Sequence, residues 1–138
     1  MRTAIVDHEI DVRALVGQVA QHRNGATVLF LGTVREVNEG APVAALDYSA
    51  YAGMAETELA AIALEAAERW STPDIVIEHR VGSLGLGDAS VAIVVAHPHR
   101  AEAYEASRYI IEELKRRLPV WKREHYVDGR SEWVHAAG

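Results

Sequence analysis

Apolar residues along this chain recur in two rhythms. Val12, Leu15, Val16 and Val19 fall at helical spacing and predict a helix over residues 11–22, stopped by Asn24 and Gly25. Residues 54–70, dominated by Ala, Leu and Glu, predict a second helix that the Ser-Thr-Pro-Asp run at 71–74 ends. Ala103, Ser107, Ile110, Ile111, Leu114 and Leu118 share one stripe of a third helix over residues 101–118. Pro119 closes it, because the residue before a proline is pushed out of the α region. Between the helices lie strand-sized runs at 27–31, 43–51 and 75–81, the last placing Ile75, Ile77, His79 and Val81 on one face. Residues 89–96 read as a central strand that Pro98 stops. The glycine-bearing segments 32–42 and 82–88 read as loops, and Asp128-Gly129 marks a hairpin between residues 124–127 and 131–134. Helices interspersed with several consecutive strands favour an α+β fold over a doubly wound parallel sheet.

Composition narrows the classes. With 138 residues and no repeat, low-complexity tract or linker, the chain is expected to form one domain over residues 1–138. A net charge of −6 excludes a protein that coats nucleic acid through general basicity. The absence of cysteine excludes a disulfide framework, a thiolate zinc site, an iron–sulfur cluster and a cysteine nucleophile. No HExxH or comparable metal-ligand spacing occurs, and Ser83 lacks the GxSxG context of a hydrolase serine. The first nine residues hold an acid and a histidine where a signal peptide needs an apolar run. The longest apolar stretch is strand-sized, so a soluble, cytoplasmic chain without membrane contact is expected.

Charge patterning supplies the chemistry. Five of the 14 basic residues fall within positions 115–123 of an acidic chain. Lys115, Arg116 and Arg117 suit the negative end of a helix dipole, and Arg116 projects opposite the apolar stripe, towards solvent. Lys115 instead lies at the edge of that stripe, where its stem packs and its amine is held. Pro119 and Trp121 turn the chain stiffly before Lys122, so the two lysines could converge on one pocket. A partly desolvated lysine near another cation has a lowered pKa, which frees an amine for proton transfer. Gly32-Thr33-Val34-Arg35 at a strand end and His99-Arg100 at a helix start are further anion contacts. Taken singly, each of these is better explained as a plain loop or cap. Together they make an anionic small-molecule site the fair inference.

In this order, the clusters resemble the large, catalytic subunit of molybdopterin synthase. The elements are Gly32-Thr33-Val34-Arg35, Tyr51-Ala52-Gly53-Met54-Ala55-Glu56, His79-Arg80-Val81-Gly82, His99-Arg100, and Leu114-Lys115 followed by Pro119-Val120-Trp121-Lys122-Arg123-Glu124. Trp133 in the terminal hairpin also fits. The resemblance implies an α/β hammerhead-type fold and a sulfurtransferase without its own cofactor or metal. The implied reaction converts cyclic pyranopterin monophosphate into molybdopterin, using sulfur delivered as the C-terminal glycine thiocarboxylate of a small ubiquitin-like subunit. The implied assembly is a heterotetramer built on a central homodimer of this chain. Lys115 and Lys122 match the family's active-site lysines, and Thr33, Val34, Arg35, His99, Arg100, Arg123 and Glu124 match its substrate contacts. A non-catalytic module that binds a phosphorylated metabolite or a partner tail accounts equally well for the charges, but not for a stiffened lysine pair.

One geometric expectation follows. Arg100 and Lys115 lie about fifteen residues apart on one helix, roughly 22 Å at 1.5 Å per residue. A small pterin cannot bridge that span within one chain, so His99 and Arg100 are expected to complete the pocket of the other protomer.

Overall fold

The computed structural model describes residues 1–38 and 40–135. Its first half runs β1 (Arg2–Val6), α1 (Val12–Gln18), β2 (Ala26–Thr33), β3 (Val37–Asn38), β4 (Ala41–Ala50) and α2 (Ala52–Trp70). The second half runs β5 (Ile75–Arg80), β6 (Gly82–Gly85), β7 (Ala89–His97), α3 (Arg100–Arg117), β8 (Val120–Tyr126) and β9 (Ser131–His135).

A strand apolar on every residue needs cover on both faces, and this requirement organises the first sheet. Its order is β1-β5-β7-β2, with β1 parallel to β5 and the other pairs antiparallel. Ile75, Ile77, Ile93 and Val95 join the core formed with α2 and α3, among Leu59, Ile62, Ile110 and Leu114. Val76, Ala92, Val94 and Ala96 join a second core with Leu15 of α1 and Val19 just after it. The second sheet, β3-β4-β8-β9 with β6 on β4, contributes Val43, Leu46, Tyr48, Leu84 and Val120 to the larger core. Two sheets with helices packed on both faces of the first make the α+β architecture expected from the sequence.

Several boundaries differ from the sequence pattern. Helix α1 starts where predicted, with the Asp11 carboxylate accepting from Ala14 N at 3.1 Å, but ends at Gln18. Gly17 and the β-branched valines are weak helix formers, and Val19 turns into the core instead. The segment 82–88 is not wholly loop: Gly82–Gly85 pairs with β4 and buries Leu84. Residues 32–42 likewise contain the end of β2 and a short hairpin of β3 with β4. Strand β8 begins at Val120, earlier than the hairpin signal indicates, and this fixes which way Lys122 points. The hairpin turn itself falls on Asp128-Gly129, with Gly129 at φ 91°.

Helices α2 and α3 are clamped by a charge cluster. The Arg117 guanidinium donates to Glu58 Oε1 at 2.6 Å and to both Glu65 oxygens at 2.7 and 2.9 Å, while Tyr109 donates to Glu65 Oε1 at 2.6 Å. The hydrogen bonds from Arg117 and then Tyr109 lower the Glu65 pKa to about 2. A carboxylate depressed in the folded state stabilises fully above its unfolded pKa, near 4.5, and loses that contribution as pH falls towards 2. Glu65→Gln is therefore expected to lower the thermal midpoint at neutral pH, with the gap from wild type closing between pH 4.5 and about 2. Thermal unfolding followed by circular dichroism across that range checks this.

Candidate active site

Residues of both sheets and of the last turn of α3 come together on one side of the molecule. This leaves a cavity of about 280 Å³. Strand β2 supplies Phe30, Gly32 and Thr33, and the segment after it supplies Val34, Arg35 and Asn38. Strand β4 supplies Val43, Leu46 and Tyr48, β7 supplies Ser90, α3 supplies Lys115, and β8 supplies Lys122 and Glu124. Three cations and one carboxylate make a cationic pocket within an acidic chain, as an anionic ligand requires.

Two local devices aim these groups. At the end of β2 the register with β7 shifts: Gly32 faces Val91 while Thr33 faces Ala89, so Ser90 is the extra residue of a bulge. Ser90 Oγ donates to Gly32 O at 3.2 Å. A Cβ at residue 32 would stand 2.7 Å from Val91 Cγ1, so only glycine fits the close approach. Gly32→Ala is expected to cost about 1–3 kcal/mol of stability through overpacking. It is also expected to raise KM by shifting the Thr33–Arg35 segment; thermal unfolding and steady-state kinetics together check both effects. The second device is the pleat of β8, which sends Lys122 and Glu124 into the cavity and Trp121, Arg123 and His125 to the opposite face.

The lysines sit in different surroundings. Desolvation by the surrounding wall, then the nearby charges of Lys122 and Arg35, hold the Lys115 amine below the ordinary lysine range, although solvent reaches the residue. Lys122 is largely buried, with Nζ 3.3 Å from Glu124 Oε1. Glu124 is only 2% exposed. Burial alone would raise its pKa, but hydrogen bonds from Tyr126 and Lys122, the Lys122 charge and a hydrogen bond from Asn38 keep it low. Behind the pocket, His79 packs edge-on against Tyr48, with ring centroids 5.4 Å apart. Burial, with a smaller contribution from Lys115, pushes its pKa down to about 4, against the Arg80 carbonyl bond. The imidazole is thus neutral at physiological pH. Its Nδ1 carries the proton, since its partner at 3.0 Å is the Arg80 carbonyl oxygen.

Six of the nine candidate residues meet in this cavity: Thr33, Val34, Arg35, Lys115, Lys122 and Glu124. Val34 is buried, and its backbone is already engaged, N–H to Asp88 O at 3.0 Å and C=O from Gly87 N at 2.8 Å. Arg123 lies on the far face of β8, donating to Ser131 Oγ at 3.1 Å beside the Trp133 ring. His99 and Arg100 begin α3 at its other end and line a separate cavity with Gly25, Pro98 and Ala101. Asn38, Tyr48 and Ser90 line the main cavity without having been signalled by the sequence. Among the described residues no group of three histidine or acidic side chains is arranged to hold a metal.

A cationic cavity with paired lysines, set in an α+β scaffold, defines the chain as an enzyme-like binder of a small anionic substrate. The family model for the MoaE protein matches residues 5–117. A molybdopterin synthase catalytic subunit from Halalkalibacterium halodurans is 45% identical over 133 residues, covering 96% of this chain and 85% of the relative. The crystal structure of molybdopterin synthase from Staphylococcus aureus superposes with a TM-score of 0.88 at 40% identity, covering 94% of each chain. A complex of subunits 1 and 2 of molybdopterin-converting factor from Helicobacter pylori shares the fold, with a TM-score of 0.77 at 21% identity, covering 97% of this chain and 89% of that one. The chain belongs to the MoaE family of molybdopterin synthase catalytic subunits, sulfurtransferases of molybdenum cofactor biosynthesis.

Proposed function

We propose that this chain, acting as one domain over residues 1–138 in the cytoplasm, installs the dithiolene sulfurs of molybdopterin on cyclic pyranopterin monophosphate. A small ubiquitin-like partner delivers each sulfur as a C-terminal thiocarboxylate, and the two chains act as a heterotetramer around a dimer of this one. The observation that carries the reading is the convergence of Lys115, Lys122 and Arg35 on one cavity of an acidic chain.

The division of labour follows from the surroundings of each group. The thiocarboxylate sulfur attacks a side-chain carbon of the pterin, forming a carbon–sulfur bond as the carbon–oxygen bond at that carbon breaks, and the departing oxygen takes up a proton. Water then cleaves the acyl–sulfur bond and returns the partner's carboxylate. Lys122, ion-paired to Glu124, stabilises negative charge as it develops. Lys115, with its lowered pKa, moves protons to and from the reacting atoms. Arg35 grips the phosphate with its guanidinium fork, and Thr33 adds a hydroxyl contact. Val34 and Glu124 act by shaping this wall rather than by binding substrate through groups already engaged. His99 and Arg100 serve the pocket of the other protomer, about 22 Å from their own chain's Lys115 by helix rise. Arg123, beside Trp133, braces the hairpin that carries Lys122.

Incubating the chain with thiocarboxylated partner and cyclic pterin phosphate tests the reading. Dithiolene product is expected. A complex that forms with both components but yields no product would contradict it.

A further inference from the structure

The catalytic cavity contains a hydrogen-bond relay that the roles above leave without a purpose. Arg35 Nη2 donates to Asn38 Oδ1 at 3.3 Å, and Asn38 Nδ2 donates to Glu124 Oε2 at 2.6 Å. The Tyr126 hydroxyl donates to the same Oε2 atom, while Glu124 Oε1 faces Lys122 Nζ at 3.3 Å. Asn38 sits on the two-residue strand β3, whereas Lys122, Glu124 and Tyr126 sit on β8, with β4 between the two strands. One amide therefore spans the sheet and touches both the arginine arm and the counter-ion of the lysine. Asparagine suits this task because a single side chain both accepts and donates. An aspartate there could accept from Arg35 but would set a second carboxylate against the buried Glu124.

We propose that Asn38 is a positioning residue that sets the anion-gripping Arg35 and the Lys122–Glu124 pair as one unit. The proposal rests on the assignment of Arg35 and Lys122 to the reaction. Through its carbonyl oxygen Asn38 fixes where the phosphate is held. Through its amide nitrogen it fixes the carboxylate against which Lys122 is placed. Loss of that tie shifts both ends, and a shift of about 1 Å at a reacting centre costs up to about a hundredfold in rate.

Sulfur transfer measured with the thiocarboxylated partner and cyclic pterin phosphate tests this in five chains: wild type, Asn38→Ala, Asn38→Asp, Glu124→Gln and Asn38→Ala/Glu124→Gln. Asn38→Ala is expected to lower kcat about ten- to a hundredfold and to raise KM. Asn38→Asp, equal in size, is expected to be at least as impaired; wild-type turnover in it would overturn the proposal, because only space-filling would then matter. Because one arm of Asn38 runs through Glu124 and the other to Arg35, the double variant is expected to lose clearly less than the product of the two single losses. Losses that multiply would overturn the coupling. The thermal midpoint of each chain separates loss of positioning from loss of fold. A Lys122→Ala chain with full turnover would instead remove the underlying assignment, so the two failures are distinguishable.

Discussion

Replacing either Lys115 or Lys122 with alanine should lower dithiolene formation by roughly a hundred- to ten-thousandfold, the range expected for a group that moves protons or meets developing charge. The partner complex should still form, because both side chains project into the cavity. The two variants should differ in stability. Lys115 is exposed, so its removal leaves the fold nearly intact. Removing Lys122 strips a buried carboxylate of its cation, and Glu124 then relies on Asn38 and Tyr126 alone. Lys122→Ala should therefore melt below Lys115→Ala, and thermal unfolding run beside the transfer assay shows whether it does. Full turnover by either chain would remove the lysine pair from the mechanism.

The second large effect concerns the two ends of α3. His99 precedes the first turn of the helix and Arg100 opens it, while Lys115 sits in its last turn, so one chain cannot place all three around one small pterin. Arg100→Ala and Lys115→Ala homodimers should each be inactive. A mixed dimer carrying one chain of each kind regains one intact site, composed of Lys115 from the first chain and Arg100 from the second. Its other site lacks both groups. Activity per dimer should return to about half that of wild type, an increase of at least an order of magnitude over either parent. Mixed dimers purified through two different tags and assayed for transfer provide the measurement. An inactive mixed dimer would place His99 and Arg100 outside the pocket.

Much of this arrangement was legible before any coordinates. The long helices carry a strong 3.6-residue period, and the residues 89–96 run is apolar enough to require cover on both faces. What escaped was short or long-range. Strand β1 is five residues long and acquires its identity from parallel pairing with β5, more than seventy residues away. The stretch around Asn38 reads as a glycine-bearing loop, and its partner Glu124 lies 86 residues further on. Nothing local signals that contact. Arg123 shows what adjacency in sequence conceals. It neighbours Lys122 in sequence, yet the period-2 pleat of β8 puts consecutive side chains on opposite faces. Knowing that β8 starts at Val120 would have separated the two residues. The bulge at Ser90 was equally hidden, because an extra residue in a ladder is a property of the pair and not of either strand.

The central claim is that a chain without cysteine handles sulfur brought in by another protein, through a lysine pair in one cavity. A single-turnover reaction with radiolabelled sulfur on the partner's thiocarboxylate tests it most directly. With wild-type chain the label should leave the partner and appear in the pterin product, with none bound covalently to this chain. With Lys122→Ala it should stay on the partner. Label held covalently by this chain, or transfer undiminished in the Lys122→Ala variant, would contradict the account.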